Sequence, residues 1–126
     1  MLAIIAMLPV QAQAPAPAPV HSGNILVLYS GQFGLPGYDR ANAGLWPVLH
    51  SGGMATDAVF SEYLDLVRNP SPAYRDRLAD FLKQKYAGRH IGAVIAISTS
   101  ATSLILDERH GLFEGVPVIA ALPSLS

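Results

Sequence analysis

Short apolar runs, separated by stretches of helical periodicity, organise this chain. The first run, NILVLYS at 24–30, is continuous and rich in branched residues, the pattern of a strand buried on both faces. It ends in a turn-forming stretch containing Gly31, Gly34, Pro36 and Gly37. Residues 39–50 then place Leu45, Trp46 and Leu49 on one helical face, with Asp39 positioned to cap the start. Pro47 inside that segment predicts a kink, or a restart one turn later. Ser51-Gly52-Gly53 closes it.

A second strand falls within 55–64, where Ala58, Phe60 and Glu62 alternate against Val59 and Ser61. Ser71-Pro72 is a helix start, with Ser as the cap and Pro at the first helical position. Tyr74, Leu78, Phe81, Leu82 and Tyr86 follow at helical spacing, opposite Arg75, Asp76, Asp80 and Lys83. Gly88 is expected to stop this helix in a left-handed conformation. IGAVIAI at 91–97 is a third strand, residues 101–110 a helix ended by Gly111, and VPVIAAL at 116–122 a fourth strand. Strands alternating with helices specify an α/β protein with an open parallel sheet and helices on both faces. Right-handed crossovers give the strand order 2-1-3-4. A sheet this small, with one bare edge, reads as one lobe of a larger unit, its second lobe absent.

Composition narrows the function classes. Of 126 residues, 51% are hydrophobic and only 13% charged, which excludes disorder for the bulk of the chain. A net charge of −1 gives a polyanion nothing to hold, so nucleic acid is not an expected partner. There is no cysteine, hence no disulfide, thiolate metal site or cysteine nucleophile. MLAIIAML at 1–8 is apolar but too short to span a bilayer. Val10-Gln11-Ala12 and Ala12-Gln13-Ala14 both carry small residues at the spacing of a signal-peptidase site, and the first places cleavage before Gln13. No Lys or Arg precedes the apolar run. Residues 1–14 are read as a signal peptide, 15–22 as an Ala/Pro-rich extended linker and 23–126 as the folded lobe, exported to the periplasm.

In an open parallel sheet, ligands bind at the carboxyl ends of the strands, beside the point where strand order reverses. Two loops meet there. SGQFGLPGYD at 30–39 offers Ser30, Gln32 and Phe33, and STSATS at 98–103 offers Ser98, Thr99 and Ser100 at a helix start. Free N–H groups and hydroxyls at such a position suit a small polar or anionic ligand. Taken alone, Ser100 reads first as a helix cap, and Gln32 and Phe33 as turn residues. Signatures of catalysis are weak. Gly31, Gly34 and Gly37 do not have G-x-G-x-x-G spacing, no G-K-[ST] follows, and no serine sits in G-x-S-x-G. His21, His50, His90 and His110 are scattered without metal spacing and are read as surface residues. Glu62 and Asp65 reach toward the crevice but have no partnering His or Lys. A flavin phosphate loop would need a Ser/Thr run where GQFGLPG stands. No cofactor and no metal are expected.

The blocks LVLYSGQFGLPGYD, EYLDLVRNPSPAY, KYAGRHIGAVIAISTSA and LFEGVPVIA, in this order and spacing, resemble a bacterial domain. It is the ABC-transporter substrate-binding family domain, as found in the periplasmic sensing region of hybrid sensor histidine kinases. The resemblance implies a type 1 periplasmic-binding-protein fold, two Rossmann-like lobes that close on a ligand, of which this chain is one. It implies that Ser30, Gln32, Phe33, Ser98, Thr99 and Ser100 face that ligand, while Tyr63 and Asp65 are mainly structural. It also implies a non-catalytic sensing lobe of a receptor whose parent is a kinase, working with a second lobe or a homodimer partner and meeting the membrane only through that parent. The sequence departs from the family at Gly37, where a bulky aromatic is usual, and at Ser98-Thr99-Ser100, where an acidic residue is frequent. Pro47 is unusual in the first helix. A solute-binding protein of a transporter is the neighbouring reading. A flavodoxin-like enzyme and a truncated relic are the readings from other classes.

Overall fold

The computed structural model describes residues 23–107 and 109–121, so the proposed signal peptide and linker lie outside the described residues. Strands β1 (Asn24–Tyr29), β2 (Val59–Tyr63), β3 (Ile91–Ile97) and β4 (Val118–Ala121) form one sheet in the order β2-β1-β3-β4. Every pairing is parallel. Helices α1 (Pro36–Ser51), α2 (Pro72–Lys85) and α3 (Thr99–Leu106) provide the crossovers, and a 3-10 turn (Thr56–Ala58) leads into β2. The expected α/β class and strand order are therefore correct. None of the described helices is long and apolar enough to cross a membrane.

The two central strands are buried on both sides because their residues alternate between two cores. Leu26, Leu28, Val94 and Ala96 point to the face covered by α2 and α3, where Leu82, Ala79, Ala101 and Leu104 meet them. Ile25, Val27, Tyr29, Ile95 and Ile97 point to the other face, where α1 supplies Tyr38 and the half-buried Leu45 and Leu49. Each fully buried Leu contributes about 2 kcal/mol of transfer free energy. The register places Ile119 beside Ile95, and Ile119 is 56% exposed, so the α1 face runs out of cover toward β4.

Several local expectations need correction. Helix α1 starts at Pro36 rather than Asp39, with Leu35 as the flanking residue and no side-chain cap. Proline needs no N–H bond at the first position and its backbone angle is already helical. Asp39 sits in the first turn, where its charge suits the helix dipole. Pro47 does not interrupt α1. It and Ala43, whose carbonyl it leaves without a partner, both lie on the exposed side. Ser71 does cap α2, accepting the Tyr74 N–H at 3.2 Å. Phe81, placed on the apolar side from its spacing, is 49% exposed, with the Lys85 ammonium 5.6 Å from its ring centre. Gly88 is not left-handed; the helix ends earlier, at Lys85, with Tyr86 closing it. Helix α3 begins at Thr99 and ends at Leu106, so Gly111, at φ +59°, belongs to the following turn.

Candidate functional site

The carboxyl ends of β1 and β3 are joined by Ser30. Its hydroxyl donates to the Ile97 carbonyl at 2.9 Å and accepts the Ala101 N–H at 2.7 Å. Its own carbonyl accepts the Leu66 N–H at 2.7 Å. A serine just past the first strand thus caps a helix that follows the third. This bond replaces the cap expected of Ser100, since the residue flanking α3 is Ser98 and its side chain makes no capping bond. Beside it, Gly31 donates its N–H to the Tyr38 hydroxyl. A Cβ at Gly31 would stand 2.7 Å from Leu35 Cδ1 and 2.9 Å from Tyr38 Oη, so a larger residue there would push these side-chain ends aside.

Ser98 has φ 78° and ψ 169°, a backbone conformation open essentially to glycine alone. Its N–H donates to the Ala121 carbonyl at 2.8 Å, and its carbonyl accepts the Thr102 hydroxyl at 3.0 Å. β4 on one side and α3 on the other hold the residue there. Asp65, at the end of β2, is also left-handed, with φ 54°.

Between α1 and the uncovered part of the sheet lies a cavity of about 850 Å³. Its polar end is Ser30, Ser98, Thr99 and Ser100. Its walls are Leu35, Tyr38, Ala41 and Leu45 from the first loop and α1, with Ile95, Ile97, Ala121 and Val67; Gly37 and Arg40 complete it. Four of the six residues expected at the site are therefore brought together. Gln32 and Phe33 are not among the lining residues. Phe33 is 78% exposed and lies edge-on to Tyr63 at 5.2 Å, and Tyr63 stacks on Tyr29 at 4.4 Å. Loop side chains have no periodicity to give their direction, which is why the sequence could not separate Gln32 and Phe33 from Ser30. Leu45 lies on the helical face expected from its spacing, whereas Tyr38 was expected in the first loop and joins that face because α1 starts early, at Pro36. Arg40 lies off that stripe and Val67 sits in a turn, so neither carried a signal.

The two carboxylates near β2 are engaged separately. Glu62 meets the Lys85 ammonium at 2.5 Å and accepts the Tyr86 hydroxyl, while Asp65 holds Arg68 through two contacts of 2.7 Å. Hydrogen bonds from Arg68 hold the Asp65 carboxyl below the usual carboxylate range. The Tyr29 hydroxyl donates to Asn42 Oδ1, and burial, followed by the neighbouring Tyr63, pushes it up to about 12.

His50 and His90 are exposed, as expected, but His110 is not a surface residue. It is buried, with Nε2 2.9 Å from Asp76 Oδ1 on α2 and Nδ1 without a hydrogen-bond partner. Its partner is 34 residues away in sequence, so nothing local marked it as a core histidine. Among the described residues no group of three His, Cys, Asp or Glu side chains is placed to hold a metal ion.

Comparison with protein-family models, with curated proteins and with solved structures finds no match to this chain. The fold and crevice define an α/β protein with an open, four-stranded, all-parallel sheet and a cavity at the carboxyl ends of its central strands.

Proposed function

We propose that this chain is an extracytoplasmic small-molecule-binding lobe of a sensor-histidine-kinase-type receptor, not itself catalytic. The observation that carries the reading is the cavity: it opens where β1 and β3 diverge to opposite neighbours, the position at which parallel sheets receive ligands. Its hydroxyl-bearing end meets the first turn of α3, where a polar or anionic group finds donors. The Ser30 hydroxyl is committed to Ile97 and Ala101, which suits a positioning role better than nucleophilic attack. The ordered sequence blocks and the apolar N-terminal run with its Ala/Pro stretch support the receptor and export parts of the reading. In such a receptor the ligand acts by favouring one arrangement of paired lobes over another.

The test is a thermal-shift screen of the purified chain against small polar and anionic metabolites. A true ligand at 100 times its dissociation constant stabilises by about 2.7 kcal/mol, which raises Tm by roughly 10–20 °C in a domain this size. A screen in which no compound moves Tm contradicts the binding role. N-terminal sequencing of secreted material is expected to begin near Gln13, and recovery of Met1 would contradict export by cleavage.

A further inference from the structure

We infer that the ligand of this cavity is a small monocarboxylate with an apolar body and no amino group; the inference rests on the cavity being a ligand site. The walls decide the body. Leu35, Leu45, Ile95 and Ile97 present apolar side chains to a volume of about 850 Å³, so a polar group lying against these walls, away from the hydroxyl-bearing end, would lose its hydration without replacement bonds. The charge on the ligand follows from Arg40. It lines the same cavity and, like Arg75, Arg77 and Arg89, makes no ion pair among the described residues, so it is the unpaired cation at this site. A carboxylate presented to the solvent-exposed Arg40 gains a charge-assisted hydrogen bond. Among the described residues no Asp or Glu lines the cavity, so an ammonium group on the ligand would enter without a counter-charge from them. An apolar acid fits all three observations, and an amino acid or a dicarboxylate fails at least one.

Isothermal titration calorimetry of the purified chain with isocaproate, isocaproamide, leucine and succinate tests this. Isocaproate is expected to bind. Isocaproamide keeps the body and loses the charge, and leucine adds only the ammonium; each is expected to bind roughly tenfold more weakly or less. Succinate is expected to give no binding heat. Gly37→Trp fills the mouth without strain, since a side chain there meets open space and the backbone is not left-handed. It is expected to weaken isocaproate at least about tenfold with Tm held or raised. Arg40→Gln is expected to weaken isocaproate roughly three- to tenfold and to shrink the preference for acid over amide by the same factor. Tighter binding of succinate or leucine than isocaproate would overturn the ligand chemistry and leave the cavity standing as a site. Equal binding of acid and amide would overturn the role of Arg40. No binding by any of the four would overturn this inference, while the broader screen above decides the site itself.

Discussion

The two faces of the sheet are made from the same two strands and reach different outcomes. On one face α2 and α3 cover β1 and β3, and Leu26, Leu28, Val94, Leu82 and Leu104 have no exposed surface. On the other, α1 alone covers the sheet, Tyr29 and Tyr38 close the first-strand side, and the β3–β4 side is left as a cavity. On the proposed reading, stability and binding are divided between faces. The covered face holds the fold together, and the open face has room for something else. The same alternation of residues on β1 and β3 feeds both, so a substitution one position along a strand moves its effect from one role to the other.

Truncations break that comparison most strongly. Leu26→Ala is expected to cost about 2–5 kcal/mol, because a closed core collapses poorly around a lost side chain. Leu45→Ala, on the half-buried wall of the cavity, is expected to cost about 1 kcal/mol, since solvent already reaches that space. Urea denaturation of both variants measures the difference, and equal losses would mean that α1 is packed as tightly as its counterparts. Ser30→Ala comes next. It leaves the buried Ala101 N–H without its acceptor, at an expected cost of about 1–3 kcal/mol. Ser98→Gly is expected to act in the opposite direction, raising stability by about 1 kcal/mol as the positive φ is relieved, while ligand affinity falls because the hydroxyl at the polar end is gone. A destabilised Ser98→Gly would show that the serine side chain contributes to folding.

The mildest contrast is with pH. The Tyr29 hydroxyl on the open face is raised from 10.0 to about 12, chiefly by burial, and Tyr86 on the covered face is raised as well, by burial and then by its bond to Glu62. A raised folded-state value means that the stabilising contribution is complete below pH 10 and is lost as pH climbs through the folded value. Alkaline titration followed by circular dichroism is therefore expected to show stability falling between pH 10 and 12. Tyr29→Phe is expected to make that fall shallower, and an unchanged profile would remove Tyr29 from the account.

How much of this was legible in the residues differs by element. The order of β1, β2, β3 and β4 followed from strand and helix patterns in alternation with right-handed crossovers, and the clearest runs were those of β1 and β3, which are buried on both faces. Helix α2 was readable from Ser71-Pro72, a local signal that the structure uses as written. The start of α1 was missed although Pro36 marked it, because Asp39 offered a competing cap. The capping of α3 by Ser30 and the burial of His110 were not readable at all, since both depend on partners brought from distant parts of the chain: 71 residues in one case and 34 in the other. At the crevice the same division holds. Ser30, Ser98, Thr99 and Ser100 were placed by topology, while Arg40, Val67 and the departure of Gln32 and Phe33 depended on loop and side-chain direction.

The central claim is that one face of the sheet is closed and the other receives a ligand. Isoleucine methyl labelling reads both faces at once, because Ile91 and Ile105 lie in the covered core while Ile25, Ile95, Ile97 and Ile119 belong to the α1 side. In a titration with isocaproate followed by methyl NMR, the Ile95, Ile97 and Ile119 signals are predicted to shift saturably while those of Ile91 and Ile105 stay in place. Saturable shifts confined to Ile91 and Ile105 would contradict the account, and none on the α1 side at any concentration would overturn the apolar acid as the ligand, the site itself being decided by the broader screen.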